Sequence, residues 1–255
     1  MRGLLLDLDG TLYVDQDPVP GGPALLEALR ERGLPFRCVT NTTSRSRRGL
    51  VERLWSLGYR ISPEEIVTPA VAAGRYAAGR GLRRVLALTP EPSLEDLEGL
   101  TFVRFEEPCQ AVIVGDLGER WDFALLQLAF SRLQAGAELV ALSKDRYFQK
   151  AGGLTLDAGP FVAALEYASG KPAVVVGKPS REFFRLAAAS LELPAGTDPH
   201  EIVMVGDDLW SDVRGAQEAG FQGWLVQTGK YREGILAESG VRPDRVLRSV
   251  VEVLG

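Results

Sequence analysis

Residues 3–13 read GLLLDLDGTLY, a short apolar run that ends in two aspartates and a glycine. A continuous apolar run closed by glycine is typical of a buried parallel strand. The ligand crevice of an open α/β sheet lies beyond the carboxyl ends of its strands, so Asp7 and Asp9 are expected at a ligand site. Because two neighbouring carboxylates repel each other, a cation or a shared proton is expected between them. Side chains alternate along a strand, so the chain is expected to bend at Leu8 and bring both aspartates to one site.

The composition is that of an ordinary globular protein. The chain has 255 residues, of which 45% are hydrophobic and 25% charged, enough for one large domain or two modest ones. No apolar run approaches the roughly 20 residues of a membrane span, and the first residues lack a signal-peptide pattern. A cytoplasmic protein without a membrane partner is therefore expected. The net charge of −5 argues against a nucleic-acid partner.

Cysteine and histidine chemistry is nearly excluded. Cys38 and Cys109 lack the spacing of metal ligands, and the one histidine, His200, lies in a turn. Zinc sites and Ser-His-Asp triads are therefore not expected. A cysteine phosphatase would need an arginine six residues after its nucleophile, but Ser44 and Gly115 stand at those positions.

Short apolar runs alternate with helical patterns along the whole chain, which predicts an α/β fold with a doubly wound, Rossmann-like parallel sheet. Strands are predicted at residues 3–8, 36–40, 85–88, 111–115, 139–143, 173–177, 202–206 and 224–227. The middle of the chain has its own β-α-β content but no catalytic motif. It is predicted to be an inserted domain, residues 71–172, within a discontinuous core domain of residues 1–70 and 173–255.

Polar residues follow four of the predicted strands. They are Asp7 and Asp9; Thr40 and Asn41; Lys178; and Asp207, Asp208 and Asp212. Taken singly, the lysine is typical of a surface residue, the Thr-Asn pair of a helix cap, and the Gly-Asp-Asp turn of an acidic loop. Together, in this order at strand ends, they favour a common site.

The four groups suit phosphoryl transfer. Several carboxylates are the oxygen ligands that Mg²⁺ prefers beside a substrate phosphate. Lys178 offers a compact cation for phosphate oxygens, and Thr40 with the following helix start offers hydroxyl and N–H donors. A carboxylate nucleophile can form an aspartyl-phosphate, and a second carboxyl group nearby can move protons.

Four motifs follow one another along the chain: Asp-x-Asp-Gly-Thr-Leu, Thr-Asn, Gly-Lys-Pro and Gly-Asp-Asp-x-x-x-Asp. With these motifs in this order, the whole chain resembles the haloacid dehalogenase superfamily of Mg²⁺-dependent phosphatases. The long stretch between the second and third motifs is similar to members with an inserted C2-type cap. Residues 146–150, 159–168 and 229–232 are similar to the NagD-type branch, which includes the phospholysine/phosphohistidine/inorganic pyrophosphate phosphatases.

The resemblance implies a role for each residue of the first two motifs. Asp7 would be the nucleophile and a Mg²⁺ ligand. Asp9 would be the general acid and base, with its backbone carbonyl on the metal. Thr40 and Asn41 would hold the transferring phosphoryl group.

For the later motifs, the resemblance implies that Lys178 neutralises the phosphoryl group and that Asp207 is a direct metal ligand. Asp208 and Asp212 would be a water-mediated ligand or an outer support, in an order that the sequence leaves open. Arg146, beside Tyr147 in the cap, would reach the leaving group of the substrate. Family members with this cap often form homodimers.

The sequence therefore predicts a Mg²⁺-dependent phosphatase that acts on small phosphorylated metabolites or pyrophosphate through an aspartyl-phosphate. Sugar phosphates, phosphoamino acids, nucleotides and pyridoxal phosphate all fit the core motifs. A phosphotransferase or phosphomutase on the same core, and a non-catalytic phosphate-binding regulatory module, stay open as alternatives. A dehalogenase needs neither the second acid, Asp9, nor a metal cluster.

Overall fold

The structure is a computed structural model that describes residues 1–104, 107–150 and 153–255. It confirms the predicted α/β fold. The strands are β1 (Gly3–Asp7), β2 (Tyr13–Val14), β3 (Asp17–Pro18), β4 (Phe36–Val39), β5 (Ile66–Val67), β6 (Arg84–Leu88), β7 (Thr101–Phe102), β8 (Ala111–Val114), β9 (Glu138–Ala141), β10 (Tyr147–Lys150), β11 (Gly153–Leu156), β12 (Val174–Val175), β13 (Ile202–Gly206), β14 (Gln222–Val226) and β15 (Arg245–Leu247).

Helices alternate with these strands. They are α1 (Gly22–Glu31), α2 (Arg47–Ser56), α3 (Pro69–Gly79), α4 (Glu91–Leu94), α5 (Phe123–Gln134), α6 (Gly159–Ser169), α7 (Arg181–Ala189), α8 (Gly215–Glu218) and α9 (Glu233–Glu238), with a π-type turn at Leu209–Arg214. Short 3₁₀ turns lie at Pro63–Glu65, Gly118–Arg120, Pro199–Glu201 and Val250–Leu254. Across the ranges that the structure describes, no helix has both the length and the apolar character needed to span a bilayer.

The chain forms two compact units, and the first contains a six-stranded parallel sheet in the order β15-β14-β13-β1-β4-β5. The central strand, β1, is buried along its whole length and pairs with a neighbour on each side, β13 and β4. In this register Leu6 lies opposite Val205 and Asp7 lies opposite Val39. The carboxyl ends of β1, β4 and β13 therefore meet at one edge of the sheet.

The helices of the first unit cover this sheet with apolar faces. In α1, which begins beside Pro23, the leucines 25, 26 and 29 recur at helical spacing and are all buried. In α7, Phe183 and Phe184 are fully buried, and Phe184 meets Phe221 edge to face. Each buried side chain of this size contributes about 1.5–3 kcal/mol from the removal of apolar surface from water.

The second unit contains a five-stranded parallel sheet in the order β12-β9-β8-β6-β7 and the antiparallel hairpin β10–β11. Its core lies between this sheet and the helices α5 and α6. Trp121 stacks on Phe161 with ring centroids 4.7 Å apart and an interplanar angle of 12°.

The strand before Lys178 differs from the sequence-based assignment. β12 pairs with β9 in the five-stranded sheet, whereas the sequence predicts residues 173–177 in the core domain with the catalytic strands. An apolar run predicts a strand but does not specify which of two parallel sheets it joins. The first compact unit comprises Met1–Thr40, Arg47–Val67 and Lys178–Gly255. The second comprises Asn41–Ser46 and Thr68–Gly177. The predicted domain limits, and the role of the second unit as a cap, stay predictions.

Candidate active site

Three buried carboxylates and one buried lysine meet at the carboxyl edge of the six-stranded sheet. Asp7 is the last residue of β1, and Asp207 directly follows the neighbouring strand β13. Asp212 lies in the turn after Asp207, and one oxygen from each aspartate lies within 4.8 Å of the others. The ammonium Nζ of Lys178 is 2.5 Å from Oδ1 of Asp7 and 2.7 Å from Oδ1 of Asp212. The structure therefore brings together four residues from three of the predicted motifs.

The charges of this cluster do not balance within the protein. Three carboxylates face one ammonium, so the ionised cluster carries an excess of two negative charges. Burial raises the pKa of Asp7 to about 6, helped by the charge of Asp207 and opposed by Lys178. Burial likewise raises the pKa of Asp207 to about 6 and that of Asp212 to about 7. An oxygen-rich, buried cluster with this excess charge fits a divalent cation such as Mg²⁺.

The protonated state of Lys178 is strongly favoured. Burial acts to lower the pKa of its ammonium group, but the carboxylates of Asp212 and Asp7 outweigh burial and raise that pKa above the usual value for lysine. A lysine this well paired stays cationic, which suits it for holding negative oxygens rather than for accepting a proton.

Asp208 and Asp212, whose roles the sequence could not rank, occupy different environments. Oδ1 of Asp208 accepts hydrogen bonds from the backbone N–H groups of Trp210 and Ser211, at 2.9 and 3.0 Å, and so caps the following turn. Its Oδ2 pairs with Lys230 at 2.9 Å. Burial acts to raise the pKa of Asp208, but Lys230 and these N–H groups lower it to about 2. Among the two, only Asp212 is a member of the buried cluster.

The two positions are expected to respond differently to removal of charge. Asp212→Asn should weaken Mg²⁺ binding by about a hundredfold or more, because it removes a carboxylate from the cluster. Asp208→Asn should weaken it by no more than about tenfold, since an amide oxygen can still cap the turn. Isothermal titration of metal-free protein with Mg²⁺ measures both effects. Equal losses in the two variants would contradict the assignment of Asp212 to the cluster.

The turn after β1 separates Asp7 from Asp9. Leu8 is buried, Asp9 is exposed, and the N–H of Gly10 donates to the carbonyl of Tyr13 at 2.7 Å. Burial raises the pKa of Tyr13, and the charge of Asp9 and a hydrogen bond to Asp9 raise it further. The general acid and base role of Asp9 stays a prediction.

The second motif is divided between the units. Thr40 is buried at the end of β4, and its N–H donates to the carbonyl of Val67 at 3.3 Å. Asn41 groups with the second unit, where its Nδ2 donates to Oδ2 of Asp145 at 3.3 Å. Arg146, in the same unit, is exposed, with its guanidinium 6.0 Å from the ring centroid of Tyr147. The roles of Thr40, Asn41 and Arg146 in substrate binding stay predictions.

One element of the site was missed by the sequence analysis. The loop Thr228–Lys230 follows β14, which is adjacent to β13, and the backbone N–H of Lys230 donates to Oδ2 of Asp207 at 2.7 Å. Thr11 was not assigned a role either, yet its Oγ1 donates to Oδ2 of Asp7 at 3.4 Å. The available signal for the loop was its position after another strand of the same parallel sheet.

Two family profiles match the chain. The haloacid dehalogenase-like hydrolase profile matches residues 4–103, and the HAD-hydrolase-like profile matches residues 175–253. The chain is 42% identical to haloacid dehalogenase-like hydrolase domain-containing protein 2 of Bos taurus, covering 91% of this chain and 86% of the relative. It is 36% identical to the phospholysine phosphohistidine inorganic pyrophosphate phosphatase of Homo sapiens, covering 100% and 93%.

Solved structures give the same result. NagD of E. coli K-12 superimposes with a TM-score of 0.87 and 25% identity, covering 99% of this chain and 98% of that one. A glycerol phosphate phosphatase of Mycobacterium tuberculosis, solved in complex with magnesium, has a TM-score of 0.82 and 32% identity, covering 98% and 76%. The chain thus belongs to the haloacid dehalogenase-like hydrolase family and is a phosphatase of its NagD type.

Proposed function

We propose that this phosphatase requires Mg²⁺ and hydrolyses small phosphorylated metabolites or pyrophosphate through a phosphoryl group carried on Asp7. The observation that carries the proposal is the buried cluster of Asp7, Asp207 and Asp212 around Lys178. Such a cluster is costly to bury unless it serves a charged ligand, since its carboxylates outnumber its one cation. The magnesium complex of the mycobacterial relative supports the choice of metal.

Mg²⁺ would be held by the carboxylates of Asp7, Asp207 and Asp212 and by the backbone carbonyl of Asp9. When bound, it supplies positive charge that draws the substrate phosphate toward the nucleophile and stabilises the charge that develops on its oxygens. Every other step is carried by side chains of the chain.

In the first step a carboxylate oxygen of Asp7 attacks phosphorus, and the bond from phosphorus to the leaving oxygen breaks. Asp9 donates its proton to that oxygen, so the leaving group departs with that oxygen protonated. In the second step Asp9 accepts a proton from water as the water oxygen attacks the same phosphorus, and the bond between phosphorus and the Asp7 oxygen breaks. Inorganic phosphate leaves, and the carboxylate of Asp7 and the proton on Asp9 are restored.

The remaining residues bind the phosphoryl group and the leaving group. Lys178 neutralises charge on the transferring oxygens, and Thr40 and Asn41 donate hydrogen bonds to them. The second unit, with Arg146 and Tyr147, would exclude water and select the leaving group. The cytoplasmic location and the homodimer stay predictions.

A panel of phosphorylated compounds tests the substrate class. The names of the relatives suggest phospholysine, phosphohistidine, pyrophosphate and glycerol phosphate as members, to which sugar phosphates, nucleotides and pyridoxal phosphate are added. Phosphate release is measured with Mg²⁺ for each compound. We expect one small compound to stand well above the others. Tight binding of phosphate without turnover of any compound, p-nitrophenyl phosphate included, would favour a non-catalytic module.

Removal of divalent cations is expected to stop the reaction. In excess EDTA the rate of phosphate release should fall by roughly a thousandfold, because uncompensated carboxylates then repel the substrate phosphate. Adding Mg²⁺ beyond the chelator should restore the rate. Circular dichroism in EDTA serves as the control for folding. A rate undiminished by EDTA in protein freed of metal by dialysis would contradict the proposed metal dependence.

A further inference from the structure

Asp207 is enclosed by backbone on two sides. A Cβ atom at Gly10 would lie 2.0 Å from Oδ2 of Asp207, and one at Gly229 would lie 2.1 Å from the same oxygen. Both glycines have positive φ, of 84° and 58°, which side chains of L-residues rarely adopt. The hydroxyl of Thr228 donates to the carbonyl of Gly10 and so joins the two segments. The carboxylate of Asp207 therefore lies in a closely fitted slot.

Lys230 contacts two of the three aspartates of the fourth motif, Asp207 and Asp208, through different groups. Its backbone N–H donates to Oδ2 of Asp207 at 2.7 Å, and its ammonium donates to Oδ2 of Asp208 at 2.9 Å. The N–H of Asp208 in turn donates to Oδ2 of Asp212 at 3.1 Å. A single loop residue is thus connected to two of the three clustered carboxylates.

We propose that the loop Thr228–Lys230 positions Asp207 for the divalent cation, with Lys230 as its positioning residue. The inference rests on the proposed Mg²⁺ dependence and extends it to residues to which no catalytic motif points. The loop does not touch the reacting phosphoryl group in this proposal; it acts through Asp207.

The physical reason is repulsion within the cluster. Without a cation, Asp207 is repelled by the charges of Asp7 and Asp212, and an unrestrained side chain would rotate away from them. The N–H of Lys230 and the walls formed by Gly10 and Gly229 oppose that rotation. The free energy of cation binding is then more favourable, because the ligand is already in place and does not have to be ordered on binding.

The ion pair between Lys230 and Asp208 contributes little to folding by itself. The Lys230 side chain is 70% exposed, and exposed ion pairs contribute only about 0–1 kcal/mol. A variant that lacks the ammonium should therefore fold normally. Any change in its metal affinity then reports on positioning rather than on stability.

Two variants test the proposal by isothermal titration of metal-free protein with Mg²⁺. Lys230→Met removes the ammonium but keeps the backbone N–H, and we expect the dissociation constant for Mg²⁺ to rise about tenfold. Gly229→Ala forces a methyl group against Asp207, and we expect a rise of about a hundredfold. At saturating Mg²⁺, kcat of Lys230→Met should lie within a factor of about two of the wild-type value, because the loop positions a ligand and does not react.

The matched control is Lys144→Met. Lys144 is also an exposed lysine, 2.7 Å from a carboxylate oxygen of Glu166 in the second unit, and its loss should leave the dissociation constant for Mg²⁺ unchanged. A double-mutant cycle adds a second readout. Asp208→Asn combined with Lys230→Met should cost no more affinity than either change alone, since both break the same contact.

The outcomes separate this proposal from the one on which it rests. If wild-type protein binds Mg²⁺ and Lys230→Met binds it with the same dissociation constant, Lys230 is not a positioning residue. That result decides the question even where Gly229→Ala fails to fold. If wild-type protein itself does not bind Mg²⁺, the proposed metal dependence is at fault instead.

Discussion

Asp7→Asn is expected to lower the rate of phosphate release by at least about 10⁴-fold at saturating Mg²⁺. The amide has nearly the shape of the carboxylate, but its oxygen is a poor nucleophile and cannot carry the phosphoryl group between the two steps. The measurement is kcat with the best compound of the panel, on protein whose mass confirms asparagine at position 7. A rate within tenfold of wild type would remove Asp7 as nucleophile.

The same variant is expected to stay folded. Asp7 is one of three buried carboxylates around a single ammonium, so the loss of its charge relieves repulsion within the metal-free cluster. The unfolding temperature in EDTA should therefore be equal to or above that of wild type. Asp17→Asn, a change of the same chemistry at an exposed residue of β3, is the control and should alter neither the rate nor the unfolding temperature.

The central part of this site could be predicted because parallel strands impose it. β1 and β13 are short apolar runs. β1 ends in Asp7, and Asp207 directly follows β13. Once both runs are assigned to one parallel sheet, the carboxyl ends meet at one edge, and Asp7 and Asp207 must be neighbours. Lys178, predicted at the same edge from a third motif, contacts Asp7.

The rest depended on geometry that residue patterns do not encode. Asp208 and Asp212 are four residues apart and chemically identical in the sequence. Their difference comes from the π-type turn at Leu209–Arg214, whose first N–H groups are capped by Asp208 while Asp212 joins the buried cluster. No residue pattern in Leu209–Arg214 distinguishes this turn from a regular helix.

Two further elements could not be predicted from the sequence for a related reason. The strand β12 consists of two valines, and no property of two valines distinguishes pairing with β9 from pairing within the other sheet. The loop Thr228–Lys230 carries no carboxylate, and its contact with Asp207 is made by a backbone N–H. The position of the loop after β14 was the one available signal. Backbone donors are present at every non-proline residue, so residue types do not indicate which N–H binds a functional side chain.

Lys178→Ala is expected to lower kcat/KM by roughly a hundredfold to a thousandfold, because charge on the transferring phosphoryl group then lacks its cation. Unlike Asp7→Asn, it should also destabilise the metal-free protein. Breaking a buried ion pair from one side typically costs about 3–5 kcal/mol, and here the loss leaves the carboxylates of Asp7 and Asp212 without their cation. Urea unfolding in EDTA measures this loss.

Two companion variants sharpen the test. Lys171→Ala is the control, since the ammonium of Lys171 donates to a backbone carbonyl, that of Leu133, at 2.6 Å and not to the cluster. Lys178→Arg keeps the charge but should not restore the rate. The compact ammonium of Lys178 lies 2.5 Å from Asp7 and 2.7 Å from Asp212 in a buried position, and a planar guanidinium does not fit there.

The sign of the stability change is the decisive part of this comparison. Removing the carboxylate at position 7 and removing the ammonium at position 178 are both expected to slow the reaction. The first change reduces the excess negative charge of the cluster, whereas the second increases it. Mg²⁺ should therefore stabilise metal-free Lys178→Ala against urea, as long as the aspartates can still gather around it. If Lys178→Ala in EDTA unfolds at the wild-type urea concentration, the cluster is not the strained, charge-unbalanced site on which the proposed function depends.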